Sequence, residues 1–537
     1  MSEVLITAAA VGQARGDREI FHDVDLTVHA GDRTAVVGPN GGGKSTLLRL
    51  LAGIEPPASG RVARASGASI GYLPQIAAAV APGRSVAEEL ARRTGVAAAR
   101  DAMDRETRRL TEGELDRIEA QAEAVELWSR LGGADLEARV GRVLEEVGLP
   151  PGWVDRPLGS LSGGQLARVN LASLRLSRLD VALLDEPGNH LDAKGLEMLL
   201  DSIPRAARAV VLVSHDRSLL ESFASEVVEL ERGGARHHRG GWVAYVRERE
   251  RARDVAQAEW ERAVAERRRL VEMERRLRSQ AEVGERRARR SGEPDKFIRH
   301  LAIQSAQKNT AIGGIAKRIE STEIPEKPWR EGLSTLLLDA AQPIHAPRVV
   351  VAEGAVAAAG AWRSAPTDLD LSPGERLLLA GPNGSGKSSL IAMIAGRRRP
   401  VEGTLRVPAR ARIVELAQQE TIFGRARGTL VERFRSLSGL DETAARTALA
   451  AMRIGAGQAE RPPDSLSPGE ATRAELALLA QTRAACLLLD EPTNHLDVEA
   501  LEVLEQALAG WPGALIVASH DKAFREAIRF DRTLTLD

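Results

Sequence analysis

The sequence predicts an α/β protein in which two tandem parallel-sheet domains are joined by a long α-helical hairpin. Three observations carry that prediction. A glycine-rich loop with GxxxxGK[ST] spacing occurs twice, as Gly38-Pro39-Asn40-Gly41-Gly42-Gly43-Lys44-Ser45 and as Gly381-Pro382-Asn383-Gly384-Ser385-Gly386-Lys387-Ser388. Each copy is followed by the same succession of short apolar strands and helical stretches. Between them lies a charged stretch rich in helix formers, with apolar residues at helical spacing.

The first repeat opens on the apolar strand Thr34–Val37, which runs into the loop, and a helix is expected over Ser45–Leu51. The strand-like Ile70-Gly71-Tyr72-Leu73 then leads to Pro74-Gln75, and a helical stretch leads to Leu161-Ser162-Gly163-Gly164-Gln165. A buried strand, Val181–Leu184, delivers Asp185 and Glu186 at its carboxyl end, and Val210–Val213 delivers Ser214-His215-Asp216. The second repeat keeps this order: Leu377–Ala380, then Ile413–Leu416 before Ala417-Gln418, then Leu466-Ser467-Pro468-Gly469-Glu470. Leu487–Leu489 delivers Asp490 and Glu491, and Leu515–Ala518 delivers Ser519-His520-Asp521. Alternating strands and helices imply parallel sheets with function at the strands' carboxyl ends.

The domains are expected at 1–246, 247–335 and 336–537. The first is lengthened by an Ala/Arg/Glu-rich helical insertion at about 82–148, which reads equally as an elaborated subdomain or as an interaction arm. In the middle segment, Arg247–Gln280 carries Trp260, Val264, Leu270, Met273 and Leu277 at helical spacing, a helix of about 35 residues reaching about 50 Å. A second amphipathic run carries Ile298, Leu301, Ile312, Ile315 and Ile319, with the turn near Gly284–Pro294 and Pro325 and Pro328 ending the return.

At 537 residues the chain is too long for one core. Lys plus Arg total 74 against 75 Asp plus Glu, so charge must be read locally. The single cysteine, Cys486, excludes an internal disulfide framework and sits in the apolar run Cys486–Leu489 as a core residue. No secretory signal pattern opens the chain, and stretches such as Ala209–Val213 or Arg348–Trp362 are too short or too charged to span a bilayer, so a cytoplasmic protein without a membrane domain is expected.

The repeated loop has a mechanical reading. Its glycines let successive N–H groups turn onto a β-phosphate, Lys44 or Lys387 reaches β and γ oxygens, and the hydroxyl of Ser45 or Ser388 sits on Mg²⁺. Thr46 and Ser389 continue each loop into its helix. Segments Ser162–Gln165 and Ser467–Glu470 each head a helix and offer a hydroxyl and N–H groups to an anion.

Together these elements resemble the ATP-binding cassette superfamily at both ends of the chain. Two fused cassettes, a charged helical linker, and Asp-Glu-Pro-x-Asn-His-Leu-Asp at Asp185–Asp192 and Asp490–Asp497 resemble the ABC-F family. The resemblance implies two tandem P-loop ATPase domains using ATP and Mg²⁺. Ser45, Gln75 and Asp185 would serve the metal in the first cassette, and Ser388, Gln418 and Asp490 in the second. Glu186 and Glu491 would polarise the attacking water, with His215 and His520 at the γ-phosphate. It also implies crossed sites in an intramolecular cassette dimer of a monomeric chain. Site one combines Lys44, Glu186 and His215 with Ser467 and Gly469. Site two combines Lys387, Glu491 and His520 with Ser162 and Gly164, and Gly163, Gln165 and Glu470 complete the nucleotide-facing segments.

The chain departs from the family pattern at several points. Pro468 replaces a glycine and removes a backbone donor at site one, and Gly188 stands where the second cassette has Thr493. No base-stacking aromatic is apparent from the sequence before the first loop. Arg15 holds the approximate place, and Trp362 reads as a poor register match in the second cassette.

The expected turn of the hairpin carries Arg286, Arg287, Arg289 and Arg290, then Lys296, Arg299 and His300, partly offset by Glu285, Glu293 and Asp295. On charge alone this is a solvated helix end or an RNA-facing tip. The family resemblance favours RNA: such a linker enters the ribosomal exit-tRNA site, its tip near rRNA and tRNA at the peptidyl-transferase centre. It implies antibiotic resistance by target protection, of the macrolide, lincosamide and streptogramin class, or a housekeeping translation role. The subunit of a separate drug exporter is the reading from another class.

Overall fold

The computed structural model describes residues 2–16, 18–74, 83–189, 191–231, 233–290, 312–325, 347–359, 362–408, 411–416, 422–424, 428–452, 454–481, 484–493 and 496–536. The chain forms two compact units, Met1–Val243 with Gly332–Asp537, and Ala244–Glu331.

Each cassette in the larger unit is built on a mostly parallel sheet. The first has the order Ile70–Leu73, Leu179–Asp185, Ala207–Val213, Arg33–Val37, Glu226–Glu231, Gly234–Arg239, with only the last strand antiparallel. The second repeats it as Ile413–Leu416, Cys486–Asp490, Ala514–Ala518, Arg376–Ala380, Arg532–Thr535, all parallel. Each cassette also carries a three-stranded antiparallel sheet, centred on Val4–Arg15 in the first and Val350–Val356 in the second.

These strands are apolar runs because both faces are covered. Along Leu179–Asp185 the side chains alternate: Val181 and Leu183 pack with Leu47, Leu48 and the antiparallel sheet, while Ala182 and Leu184 pack with the helical side. Burying one leucine such as Leu183 contributes about 2 kcal/mol. Cys486 is fully buried in the corresponding strand of the second cassette, as its apolar setting implies.

The insertion is helical, over Val86–Arg93, Val96–Thr111, Ile118–Arg130 and Leu136–Glu146. Its first and last helices pack on the helix that follows Ser162, through Val86, Leu90, Val140 and Leu144. Helices Leu430–Ser438 and Glu442–Ala451 occupy the same places in the second cassette's chain order. The helical pair between Val96 and Arg130 is therefore what distinguishes the first cassette, and Leu115 and Ile118 at its bend are exposed.

In the smaller unit the helix runs Gly241–Arg290, 50 residues or about 75 Å, longer at both ends than expected. It continues through Gly284, where the turn was expected to begin; a lone glycine costs only about 1 kcal/mol in a helix of strong formers. Leu270 is buried and Trp260, Val264 and Leu277 are half-buried, whereas Met273 is 41% exposed and falls off the seam. A second helix spans 312–321, with Ile312, Ile315 and Ile319 half-buried. Its Arg318 lies 3.8 Å from Glu266, so the two helices come side by side at that point. Ile298, Leu301, Pro328 and the turn residues from 291 onward lie outside the described residues.

Candidate functional site

Both glycine-rich loops lie where the central strand of a sheet gives way to a helix. Their backbone requires glycine. Gly38 and Gly381 have φ of 143° and 142°, and a Cβ on either would come within 2.2 Å and 2.3 Å of the carbonyl oxygens of Leu230 and Leu536. The lysines are almost wholly buried and held alike. Lys44 Nζ donates to Gly38 O at 2.8 Å and Pro39 O at 3.0 Å, and Lys387 Nζ donates to Gly381 O and Pro382 O at the same two distances. Burial lowers both ammonium pKa values, opposed by Glu186, Asp497 and Asp185 around Lys44 and by Glu491, Asp490 and Asp192 around Lys387.

The carboxylates arrive from the neighbouring strands. Asp185 ends its strand and accepts from Ser45 Oγ at 3.1 Å and from the Tyr72 hydroxyl at 3.1 Å, one bond on each oxygen. Asp490 accepts from Ser388, and its Oδ1 is buried without a hydrogen-bond partner among the described residues. Beyond the aspartates the chain turns sharply: Glu186 and Glu491 have φ of 51° and 46°. A non-glycine residue held there costs on the order of 1–3 kcal/mol and is retained where neighbours enforce it. Their N–H groups donate to Val213 O at 2.9 Å and Ala518 O at 2.8 Å on the next strand.

That turn points each glutamate at a histidine. His215 Nε2 lies 3.3 Å from Glu186 Oε1, and His520 Nε2 lies 3.3 Å from Glu491 Oε1. Burial raises both carboxyls, Glu491 to about 7, and Glu186 further in its tighter enclosure despite the pull of Lys44. Burial, reinforced by Lys387, lowers His520 to about 4, so its imidazole is neutral at physiological pH.

The Ser-Gly segments start helices through reciprocal caps. Gln165 N donates to Ser162 Oγ at 3.4 Å and Ser162 N donates to Gln165 Oε1 at 2.9 Å. Ser467 and Glu470 make the same pair at 3.3 Å and 2.8 Å. Pro468 is the first residue of helix Pro468–Gln481, a position whose N–H has no partner within a helix, so the proline leaves the helix start intact.

A cavity of about 650 Å³ brings Ser162, Gly164 and Gln165 of the first cassette opposite Asn383, Ser388 and Glu491 of the second; Gly188 and Thr493 line it too. A cavity of about 530 Å³ at the first loop is lined by Arg15, Lys44, Asp185, Glu186 and His215, without Ser467 or Gly469. The second cassette reaches this loop through Asp497. That carboxylate caps its own helix at Ala500 N, 2.9 Å, accepts Asn40 N–H at 3.0 Å, and lies 3.6 Å from where a Cβ on Gly469 would stand.

Three outcomes were not anticipated from the sequence. Asp192 and Asp497 had no role assigned, although an Asp heading a helix announces a cap. Tyr72 on Asp185 had no signal beyond its place in a strand. Trp362 is not out of register: its ring lies against the second loop, 2.3 Å from a Cβ on Gly386, where the first loop meets Ile20 and Phe21. Gln75 and Gln418 lie outside the described residues.

Comparison with known proteins agrees with this geometry. The ABC transporter family model matches residues 21–189 and 365–494. The chain is 34% identical to the tylosin resistance ATP-binding protein TlrC of Streptomyces fradiae, over 95% of this chain and 93% of that protein. It is 31% identical to the energy-dependent translational throttle protein EttA of Mycobacterium tuberculosis, over 100% of this chain and 91% of that protein. Among solved structures, an archaeal ribosome recycling factor in complex with a ribosomal stalk protein superposes with TM-score 0.57 at 17% identity, over 98% of this chain and 87% of that one. That likeness concerns the fold.

Proposed function

We propose, from the premise that this chain belongs to the ABC-F family of ATP-binding cassette proteins and hydrolyses ATP, that it does so at two crossed sites and protects the ribosome from antibiotics. The observation that carries the crossed sites is the cavity in which Ser162–Gln165 face Asn383, Ser388 and Glu491.

In each site the buried lysine exchanges its loop carbonyls for the β- and γ-phosphate oxygens of ATP. The serine and glycine of the opposite helix N-terminus take the γ-phosphate from the other side. Glu186 or Glu491 accepts a proton from the attacking water as its oxygen bonds to the γ-phosphorus and the bridging oxygen leaves with ADP. The neutral imidazole of His520, and His215 in its place at the first site, hold the glutamate and the γ-phosphate in line.

The donors fit Mg²⁺: Ser45 Oγ and Asp185 Oδ1 stand 3.1 Å apart, and Asp490 Oδ1 is a buried carboxylate oxygen lacking a hydrogen-bond partner among the described residues. Mg²⁺ bound there with the nucleotide would offset the charge of the β- and γ-phosphates. Gln75 and Gln418 belong to the same proposed set. Closure on two ATP and release after hydrolysis move the cassettes, and the linker hairpin carries that motion to rRNA and tRNA in the cytoplasm.

Similarity to a tylosin resistance protein supports the resistance reading, for drugs of the macrolide, lincosamide and streptogramin class. Full-length similarity to a translational throttle protein supports the second reading, a housekeeping translation factor. No described helix is long and apolar enough to cross a membrane. The test uses the E186Q/E491Q chain with ATP, together with wild-type rescue of translation in a drug panel. The resistance reading expects the variant to pellet with ribosomes, and expects rescue to be lost when Arg286, Arg287, Arg289 and Arg290 become Glu. Ribosome binding without rescue would favour the housekeeping reading, and recovery only with membranes would favour an exporter subunit.

A further inference from the structure

The two cassettes are tied by a charge pair that has no counterpart across their internal repeat. Arg217 of the first cassette donates through Nη1 to Glu505 Oε2 at 3.2 Å and through Nη2 to Glu505 Oε1. Arg217 is 18% exposed and Glu505 12%, and Asp521 and Glu502 of the second cassette add their fields to the same guanidinium. A bidentate pair in so little water is directional and hard to break from one side.

Both partners belong to elements of site one. Arg217 begins the helix that follows His215 and Asp216. Glu505 lies on helix Val498–Ala509, which starts at Asp497, and Asp497 accepts the Asn40 N–H of the first phosphate loop. The bridge therefore fastens helix Val498–Ala509, whose Asp497 reaches the first phosphate loop, to the cassette that carries the lysine and glutamate of site one.

The repeat supplies the control. Aligning His215 with His520 and Asp192 with Asp497 sets Lys522 against Arg217 and Leu200 against Glu505. Leu200 has no charge and packs against the helical core. Lys522 is 72% exposed and lies 4.0 Å from Glu526 of its own helix. Among the described residues, site two has no such pair at these positions.

We infer that Arg217 and Glu505 are positioning residues that hold site one closed, so that it keeps its nucleotide longer than site two. The inference rests on the crossed-site reading above. In the full chain carrying E186Q/E491Q, release of a fluorescent ATP analogue is followed in K387A, which leaves site one, and in K44A, which leaves site two. Arg217→Ala or Glu505→Ala is expected to speed release from site one about tenfold and leave site two within twofold. The charge swap R217E/E505R is expected to restore slow release, which separates the pair from a folding defect, and K522A to change neither site. Equal acceleration at both sites, no acceleration, or a swap that fails to restore would overturn the inference. Ser467→Ala is the control for the underlying reading: if it too leaves site one unchanged, the crossed assembly itself fails, whereas a response to Ser467→Ala without one to Arg217→Ala fails the fastening alone.

Discussion

The two nucleotide sites are alike where phosphate is gripped and unlike almost everywhere around it. The lysine contacts agree to the tenth of an ångström, and both glutamates occupy the same left-handed backbone region. One shell out, Tyr72 bonds Asp185 at the first site, while the matching strand position holds Glu415 beside Asp490, restrained by Arg397 at 2.8 Å. Gln165 caps one crossing helix and Glu470 the other; Ile20 and Phe21 flank one loop and Trp362 the other. Backbone geometry that must meet phosphate leaves no room to drift, whereas the side chains that set proton affinity, metal affinity and base contact can diverge and give the sites different tempos.

The largest effect expected from breaking this comparison is at the glutamates. Replacing both by Gln removes the proton acceptor and should lower steady-state ATP turnover by about 10³-fold. Either single change should leave partial turnover, and phosphate release by each single variant measures how far the sites are independent.

A smaller effect concerns stability and distinguishes the two crossing helices. Glu475 is buried, accepts from Ile422 N at 3.0 Å, and has its carboxyl raised to about 7, whereas the first cassette has Asn170 at that position. A raised carboxyl favours the fold at low pH and loses that contribution as pH rises through 7. Glu475→Gln should therefore stabilise the second cassette by about 3 kcal/mol at pH 8 and by nothing measurable below pH 4. Denaturant melts at the two pH values read this directly.

Tyr72→Phe should come next. Losing a hydrogen bond to a carboxylate is worth about 1.5 kcal/mol, so ATP trapping at the first site should need about tenfold more Mg²⁺, with the second site unmoved. The smallest effect is in pH profiles. A carboxyl accepts the water's proton only once ionised, so a chain relying on Glu491 (E186Q) should gain turnover as pH climbs through about 7. A chain relying on Glu186 (E491Q) should rise at higher pH, because burial pushes that group further.

Much of this fold was legible in the sequence, because fully covered parallel strands are written as unbroken apolar runs. Ile70–Leu73 and Ile413–Leu416 begin and end where the sequence placed them, and the other strands it named differ by one to three residues at an end, whereas Glu226–Glu231, Gly234–Arg239 and Arg532–Thr535 carry charged residues that break the apolar run. The phosphate loops were legible because glycine at Gly38 and Gly381 answers a backbone demand that no other residue meets. Trp362 was not, since register shifts between Ala352 and Ala355 hide its place from residue counting. Gly284 reads locally as a turn, yet the helix formers on both sides outweigh its cost of about 1 kcal/mol and the helix continues through it. Asp497 on Asn40 and Glu505 on Arg217 join residues hundreds of positions apart, and no local pattern encodes such a pairing.

The crossed assembly is tested most directly by trapping ATP in the E186Q/E491Q chain and placing an arginine at Ser162 or Ser467, with K387A or K44A leaving a single phosphate loop. Ser162→Arg should empty the site built on Lys387 and spare the one built on Lys44, and Ser467→Arg should do the reverse. Loss of ATP from the loop in the same cassette as the substituted serine would contradict the account.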